Sequence, residues 1–393
     1  MPTRGSRIHK GVVLASPVSI PYQRSSQNPA SYYLGQALRD ILSGAGIDRH
    51  KCDGLMVSSY SLAPDNIISL AQIFDLSLDW LEQIQLGGAS GLLGVRRAAR
   101  AVENGDADII ACIGGDTYNP AIFSSLLANF SGFTTDAVMP YGSGGATLPF
   151  AMLTQQYMND FGIAREDFGR LCILQRENAL RYKQSMFQKS LTIDDYLAAR
   201  PIAEPLGLFD CVMPCAGAEG LLVMRDHVAE ELGIPYVVLK SSAEKHNSLN
   251  TMKSPLRFGW GDFIDDLFQS VGMDRSDINL VQAYDDYPVM VFLQLEELGF
   301  FDEGTASKHL SGRGFLRNGK EVSLNSSGGQ LSSGQAGFAG GFMGVVEAVR
   351  QLTDTALGNQ LQSVDRALVS GFGMINYDKG LCTTAAILER CGA

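Results

Sequence analysis

The sequence predicts a duplicated α/β architecture with a long insertion in its first half, and three observations carry that prediction. The stretch "LRDILSGAGIDRHKCDGLMVSSYS", residues 38–61, is echoed by "IDDLFQSVGMDRSDINLVQAYDDY", residues 264–287. Next, "GLLGVRRAARAVENGDADIIACIGGD" from Gly91 is echoed in the same order by "GFMGVVEAVRQL" from Gly341 and "RALVSGFGM" from Arg366. Finally, a segment of about residues 118–214 interrupts the first half with helical stretches of its own. Repeated strand, helix and glycine-turn units imply two copies of one α/β design.

The elements follow from local chemistry. "MPTRGSRIHKGVVLASPVSI" reads as a first strand rather than a leader, because Pro17 and the β-branched residues suit a strand. In the first repeat, an amphipathic helix ends at a glycine (Gly46, echoed by Gly272), an Asp-Arg turn follows, and a strand ends in small or polar residues. Leu92, Val95, Ala99 and Val102 share one helix face while Arg96, Arg97 and Arg100 lie elsewhere; Phe342, Val345, Val349 and Leu352 repeat that face. Each of these helices leads into a buried-looking strand that ends in glycines. The predicted halves are residues 1–230, including the insertion, and 231–393. "FAMLTQQYMNDFG" and "LQRENALRYKQ" supply helices to the insertion, and an insertion of that length is more often functional than a linker.

Composition narrows the function classes. With 393 residues, 45% hydrophobic and 19% charged, the chain can bury a large core. Its apolar runs fall short of the roughly 18 residues a spanning helix needs, so a cytoplasmic protein with no membrane partner is expected. A net charge of -11 without any Lys/Arg-rich run argues against nucleic acid. The seven cysteines (52, 112, 172, 211, 215, 382 and 391) are scattered, and Cys211 and Cys215 lack a second pair, so buried thiols in a reducing compartment and no metal are expected.

The duplicated halves, the turn "GGASG" at Gly87–Gly91, the stretch from Arg176 to Val223, "YDDYPVMVFLQLEELGF" from Tyr284 and "NSSGGQLSSGQAGFAGG" from Asn325 together resemble the thiolase superfamily, in its sterol-carrier-protein-type branch. The resemblance runs nearly end to end. It implies a thiolase fold, five-layered αβαβα, a homodimer or higher assembly, and a substrate carried as a coenzyme A thioester. No permanently bound cofactor is implied; coenzyme A enters as part of the substrate.

The family's catalytic inventory is altered here. Its nucleophilic cysteine aligns with Gly88, its activating histidine with Gln335, and its second cysteine falls near Ser370 to Gly373. The branch's His-Asp-Cys-Phe box is matched by Tyr284, Asp285, Asp286 and Tyr287. Ser90 is the one nucleophilic side chain left in the turn; without an adjacent base it reads better as a helix-start or substrate hydrogen-bonding residue. Tyr284 is the leading proton-transfer candidate, as a base if neighbouring donors stabilise its phenolate, with Asp285 or Asp286 as the alternative base. Gly88 and Gly373 could supply backbone to an oxyanion pocket with Gln335, and His246 opens a segment expected near the coenzyme.

Losing the acylated cysteine disfavours covalent chemistry. The expected reaction is therefore retro-aldol cleavage of a β-hydroxyacyl-CoA, as in the steroid side-chain aldolases, which work with a small OB-fold, zinc-containing partner subunit. An acetyl-CoA acetyltransferase-like activity with another nucleophile and a non-catalytic acyl-CoA-binding subunit are the competing readings. Phe123, Phe130 and Phe133 in the insertion permit an aromatic or polycyclic acyl group.

Overall fold

The computed structural model describes residues 7–392 except 129–131, 133–134, 137–138, 143–144, 146, 250–252 and 377–378. A first run of elements comprises β1 (Val12–Gln23), α1 (Ala30–Gly44), β2 (Gly54–Ser58), α2 (Ile67–Ile73), β3 (Trp80–Gln83), α3 (Ser90–Asn104) and β4 (Ile109–Asp116). The insertion contributes α4 (Pro120–Ala128), α5 (Thr147–Phe161), α6 (Arg165–Ala179), α7 (Ile193–Leu197) and the small hairpin of β5 (Pro201–Ala203) and β6 (Leu206–Gly207). After β7 (Ala216–Arg225) and α8 (Asp226–Leu232) comes the second run. It has β8 (Tyr236–His246), α9 (Ile264–Gln269), β9 (Leu280–Gln282), α10 (Pro288–Glu297), β10 (Leu310–Ser311), β11 (Gly314–Arg317) and β12 (Lys320–Leu324). It ends with α11 (Gly329–Ser333), α12 (Gly340–Leu352), β13 (Arg366–Asn376) and β14 (Lys379–Arg390).

The duplication is visible atom by atom. After α1, Ile47 N–H donates to Leu42 carbonyl at 2.9 Å and Gly46 takes φ +67; after α9, Met273 N–H donates to Phe268 carbonyl at 3.1 Å and Gly272 takes φ +67. Both helices thus end in the same left-handed glycine cap. The Asp-Arg turns match too: Asp48 accepts from His50 N–H and Asp274 from Ser276 N–H, each opening a short 3-10 turn before a buried strand.

The main sheet runs β10-β11-β12-β9-β13-β14-β8-β1-β7-β4-β2-β3. Its two arms, β12-β9-β13-β14-β8 and β3-β2-β4-β7-β1, mirror one another and meet where β1 pairs antiparallel with β8 over Val13–Ala15. Pro17 lies beyond that short pairing, at a register shift in β1, where a missing amide costs no ladder bond.

Alternation along the strands makes the layers. Met56, Ile110, Leu221 and Val223 of one arm and Leu280, Val369, Ala386 and Leu388 of the other pack on α3 and α12. The opposite-facing residues Leu55, Val57, Ala111 and Leu222 pack on α1, and Val281, Leu368 and Ile387 pack on α9 and α10. The order is therefore helix, half-sheet, central helix pair, half-sheet, helix: the five-layered αβαβα thiolase fold. At the centre the helix starts touch through glycines. A Cβ on Gly91 would lie 2.0 Å from Gly341 carbonyl oxygen, and one on Gly341 would lie 2.8 Å from Gly88 carbonyl oxygen.

Candidate active site

The glycine turn sits where these two helix starts converge. Gly87 takes φ +55, a 3-10 turn covers Gly87–Ala89, and α3 begins at Ser90. Ser90 is buried and its Oγ accepts from Leu86 N–H at 2.9 Å, closing the turn. Of its two expected roles the structure therefore selects the helix-start one. From the other half, β13 presses on the turn: a Cβ on Gly373 would lie 1.7 Å from Leu86 carbonyl oxygen. Gly373 is a close-packing position with no room for a thiol.

Tyr284 occupies the space above Gly88. A Cβ on Gly88 would fall 1.9 Å from Tyr284 Cε2 and 2.1 Å from Cζ, so the phenol ring fills the volume a side chain there would take. The ring is held at both ends. Gln294 brackets its backbone, accepting from Tyr284 N–H at 3.2 Å and donating to its carbonyl at 2.6 Å. At the tip, the phenol oxygen accepts from Gln335 Nε2 at 3.3 Å and from the Gln330 amide, and Gln335 Nε2 also donates to Gln330 Oε1 at 2.9 Å. Gln335 is fixed through its backbone, with N–H to Met213 carbonyl and carbonyl to Cys215 N–H.

Burial pushes the Tyr284 phenol well above its ordinary range, reinforced by the carboxyl of Asp286, the phenol of Tyr60 and the carboxyl of Asp285, with only the Gln330 amide opposing. The phenolate that a base role requires is disfavoured there. With its oxygen already accepting from amides, a neutral Tyr284 keeps its own hydrogen for donation.

The two adjacent carboxyls divide the work. Asp285 accepts from Gln330 N–H at 2.9 Å, Leu331 N–H at 3.2 Å and Gln175 Nε2 at 2.6 Å. Burial pushes it up to about 7 despite those donors. It anchors the start of α11 and thereby aims Gln330, a positioning role in place of the catalytic one expected. Asp286 is different. Among the described residues its Oδ1 is shut off from solvent with no hydrogen-bond partner, and the amides of Asp286 and Tyr287 are the donors that oppose its upward shift. Burial, then the neighbouring Asp285, pushes Asp286 well above the carboxylate range.

Tyr60 completes the cluster and was missed in the sequence. It follows β2, packs against Phe338 with ring centroids 4.1 Å apart and the planes tilted by 47°, and is raised by burial and by the nearby Asp116 and Asp286. Asp116 builds its seat: it accepts from Ser59 Oγ, Ser61 N–H and Phe338 N–H, tying β2, β4 and the turn before α12 together. A signal was present. Laid over each other without a gap from Asp48 and Asp274, the two repeats set Tyr60 against Asp286.

His246 does not join this group. It is exposed at the end of β8 with Nε2 3.3 Å from Glu244, whose carboxylate is paired bidentately by Arg97. Cys211 is half-buried beside Asp286 and Tyr287, but burial pushes its thiol to about 12, which leaves a poor nucleophile. Among the described residues no group of three or more His, Cys, Asp or Glu side chains could hold a metal ion. Phe123 packs edge-on against Tyr118; Phe130 and Phe133 lie outside the described residues.

Comparisons with known proteins agree with this geometry. Residues 241–389 match the family described as thiolase C-terminal domain-like. A steroid side-chain-cleaving aldolase of Thermomonospora curvata is 28% identical over 351 residues, covering 85% of this chain and 88% of that one. A 17-hydroxy-3-oxo-4-pregnene-20-carboxyl-CoA lyase of Mycobacterium tuberculosis is likewise 28% identical over 351 residues, covering 85% and 89%. The solved structure of an Ltp2-ChsH2(DUF35) aldolase superposes with a TM-score of 0.78 at 24% identity, covering 97% of this chain and 98% of that one. With the five-layered fold, the paired glycine helix starts and these relatives together, the chain has the thiolase fold and its second half matches the thiolase C-terminal domain-like family.

Proposed function

We propose that this chain is a carbon–carbon lyase that cleaves a β-hydroxyacyl-CoA by a retro-aldol reaction, with no acyl-enzyme intermediate. The observation that carries this reading is the Tyr284 ring in the volume above Gly88: the superfamily's position for a covalent nucleophile holds a phenol instead. Two helix N-termini, those of α3 and α12, converge there and favour negative charge, which suits the oxyanion of a thioester enolate. The neutral Tyr284 hydroxyl, its oxygen held by Gln335 and Gln330, donates to that developing oxyanion. Asp285 keeps Gln330 in place. The relatives named as an aldolase and a carboxyl-CoA lyase support the same reaction class.

The likeness to the Ltp2-ChsH2(DUF35) structure supports action with a small partner subunit of that kind, with the OB-fold and zinc supplied by the partner. A homodimer working in the cytoplasm fits the reading, and no helix among the described residues is long and apolar enough to cross a membrane. The test is incubation with a panel of β-hydroxyacyl-CoA compounds, with and without such a partner, while an aldehyde or ketone is trapped. Release of the carbonyl together with the shortened acyl-CoA is expected. A covalent acyl adduct, or no carbonyl across the panel, would overturn the reading.

A further inference from the structure

Asp286 is half-buried, and its Oδ1, itself shut off from solvent, has no hydrogen-bond partner among the described residues. A buried, unsatisfied polar oxygen is costly, on the order of 1–3 kcal/mol, and such costs are kept where a function uses the atom. Asp285, one residue earlier, has both oxygens engaged by Gln330, Leu331 and Gln175. The Asp286 carboxyl adds to the upward shifts of the Tyr284, Tyr60 and Tyr287 phenols and of the Cys211 thiol, which makes it their electrostatic neighbour. Asp285 is the charge that adds to the upward shift of Asp286.

We propose that Asp286 is the proton shuttle of the site, taking the proton of the substrate β-hydroxyl and returning it to the α-carbon. This rests on the retro-aldol reading. As the O–H bond breaks, its electron pair forms the carbonyl and the Cα–Cβ pair passes into the thioester enolate. Asp286 carries the proton. The enolate then collapses, its α-carbon takes that proton, and Asp286 is again a carboxylate. Atoms and charge balance with no oxidant, reductant or further acid. Burial raises the proton affinity of the carboxyl, which makes it a stronger base once ionised. Asp286 as a whole is only half-buried, so a substrate hydroxyl can approach the carboxyl and be the partner it lacks.

The test uses the full chain, with its partner subunit where activity needs it. Wild type should show kcat/KM rising with pH through a midpoint well above the ordinary carboxylate range. Asp286→Asn should lose about 10²–10⁴-fold in kcat, the usual worth of general acid–base catalysis, and lose that limb of the profile. Asp286→Glu should retain partial activity with a displaced midpoint, which keeps the test open if the amide variant folds poorly. A second readout is independent of cleavage: wild type should exchange the α-hydrogen of the shortened acyl-CoA product with D2O, and Asp286→Asn should not. If wild type cleaves and exchanges while Asp286→Asn does both with an unchanged pH profile, the shuttle is wrong and the retro-aldol reading stands. Wild type that releases no carbonyl overturns the reading itself.

Discussion

Gly88→Ala is the smallest change that probes the Gly88–Tyr284 arrangement. The added methyl would meet Tyr284 at 1.9, 2.1 and 2.6 Å from Cε2, Cζ and Cδ2. Ordinary carbon contacts begin near 3.5 Å, so the ring would have to withdraw by roughly 1.5 Å. It has little freedom to do so, because Gln294 clamps its backbone and Gln335 and Gln330 hold its oxygen. The expected cost of overpacking is about 1–3 kcal/mol, less a few tenths recovered because alanine has a less flexible unfolded chain. Tyr284→Ala alone should cost about 3–5 kcal/mol through its cavity, by analogy with Phe→Ala. In the Tyr284→Ala background, Gly88→Ala should become neutral or stabilising. Urea midpoints of the four proteins give the coupling, expected at about 1–3 kcal/mol. A Gly88→Ala protein as stable and as active as wild type, with no coupling, would refute the idea that the phenol replaces the nucleophile's side chain. The converse gain is also expected: Gly88→Cys with Tyr284→Ala should acylate from an acyl-CoA, because a thiol there would sit at the convergence of two helix N-termini.

Two further outcomes follow. Ser90→Ala removes the acceptor for Leu86 N–H and should lower the urea midpoint by the equivalent of about 1–2 kcal/mol while carbonyl release survives; abolished turnover in a folded Ser90→Ala protein would restore serine as nucleophile. Glu219, buried with Ser19 and Tyr22 donating to it, is pushed from its ordinary 4.5 to about 7 by burial. Because its folded-state affinity for a proton exceeds the unfolded one, its stability contribution is full below about 4.5 and is lost as pH rises through about 7. Glu219→Gln should therefore gain on wild type between about pH 5 and about pH 8 in urea midpoint, and a constant difference would contradict the assignment.

The fold was legible because its signals are local and repeated: Gly46 and Gly272 mark equivalent caps, and the faces of α3 and α12 share one spacing. The expectation that Gly88 stands where relatives carry a nucleophile came from the sequence as a missing atom. What fills that space was not, since Tyr284 reaches it from the other half of the chain. Nor could the sequence separate Asp285 from Asp286. They lie in the loop between β9 and α10, and only the fold shows which meets α11 and which has an unpaired oxygen. The phenol's protonation state depends on burial and nearby carboxyls, which sequence spacing does not encode. His246 was read from the segment it opens, whereas Glu244 and Arg97 determine where its ring sits. Tyr60 needed the two repeats to be laid over each other residue by residue rather than matched as blocks.

Intact-protein mass followed through turnover of a cleavable β-hydroxyacyl-CoA, with the released carbonyl counted in the same sample, tests the central claim most directly. The account predicts one carbonyl per thioester consumed, an enzyme mass unchanged at every time point, and a loss of about 10²–10³-fold in kcat when Tyr284→Phe removes the oxyanion donor. A mass increase equal to the acyl group, appearing and decaying at the rate of turnover, would contradict it.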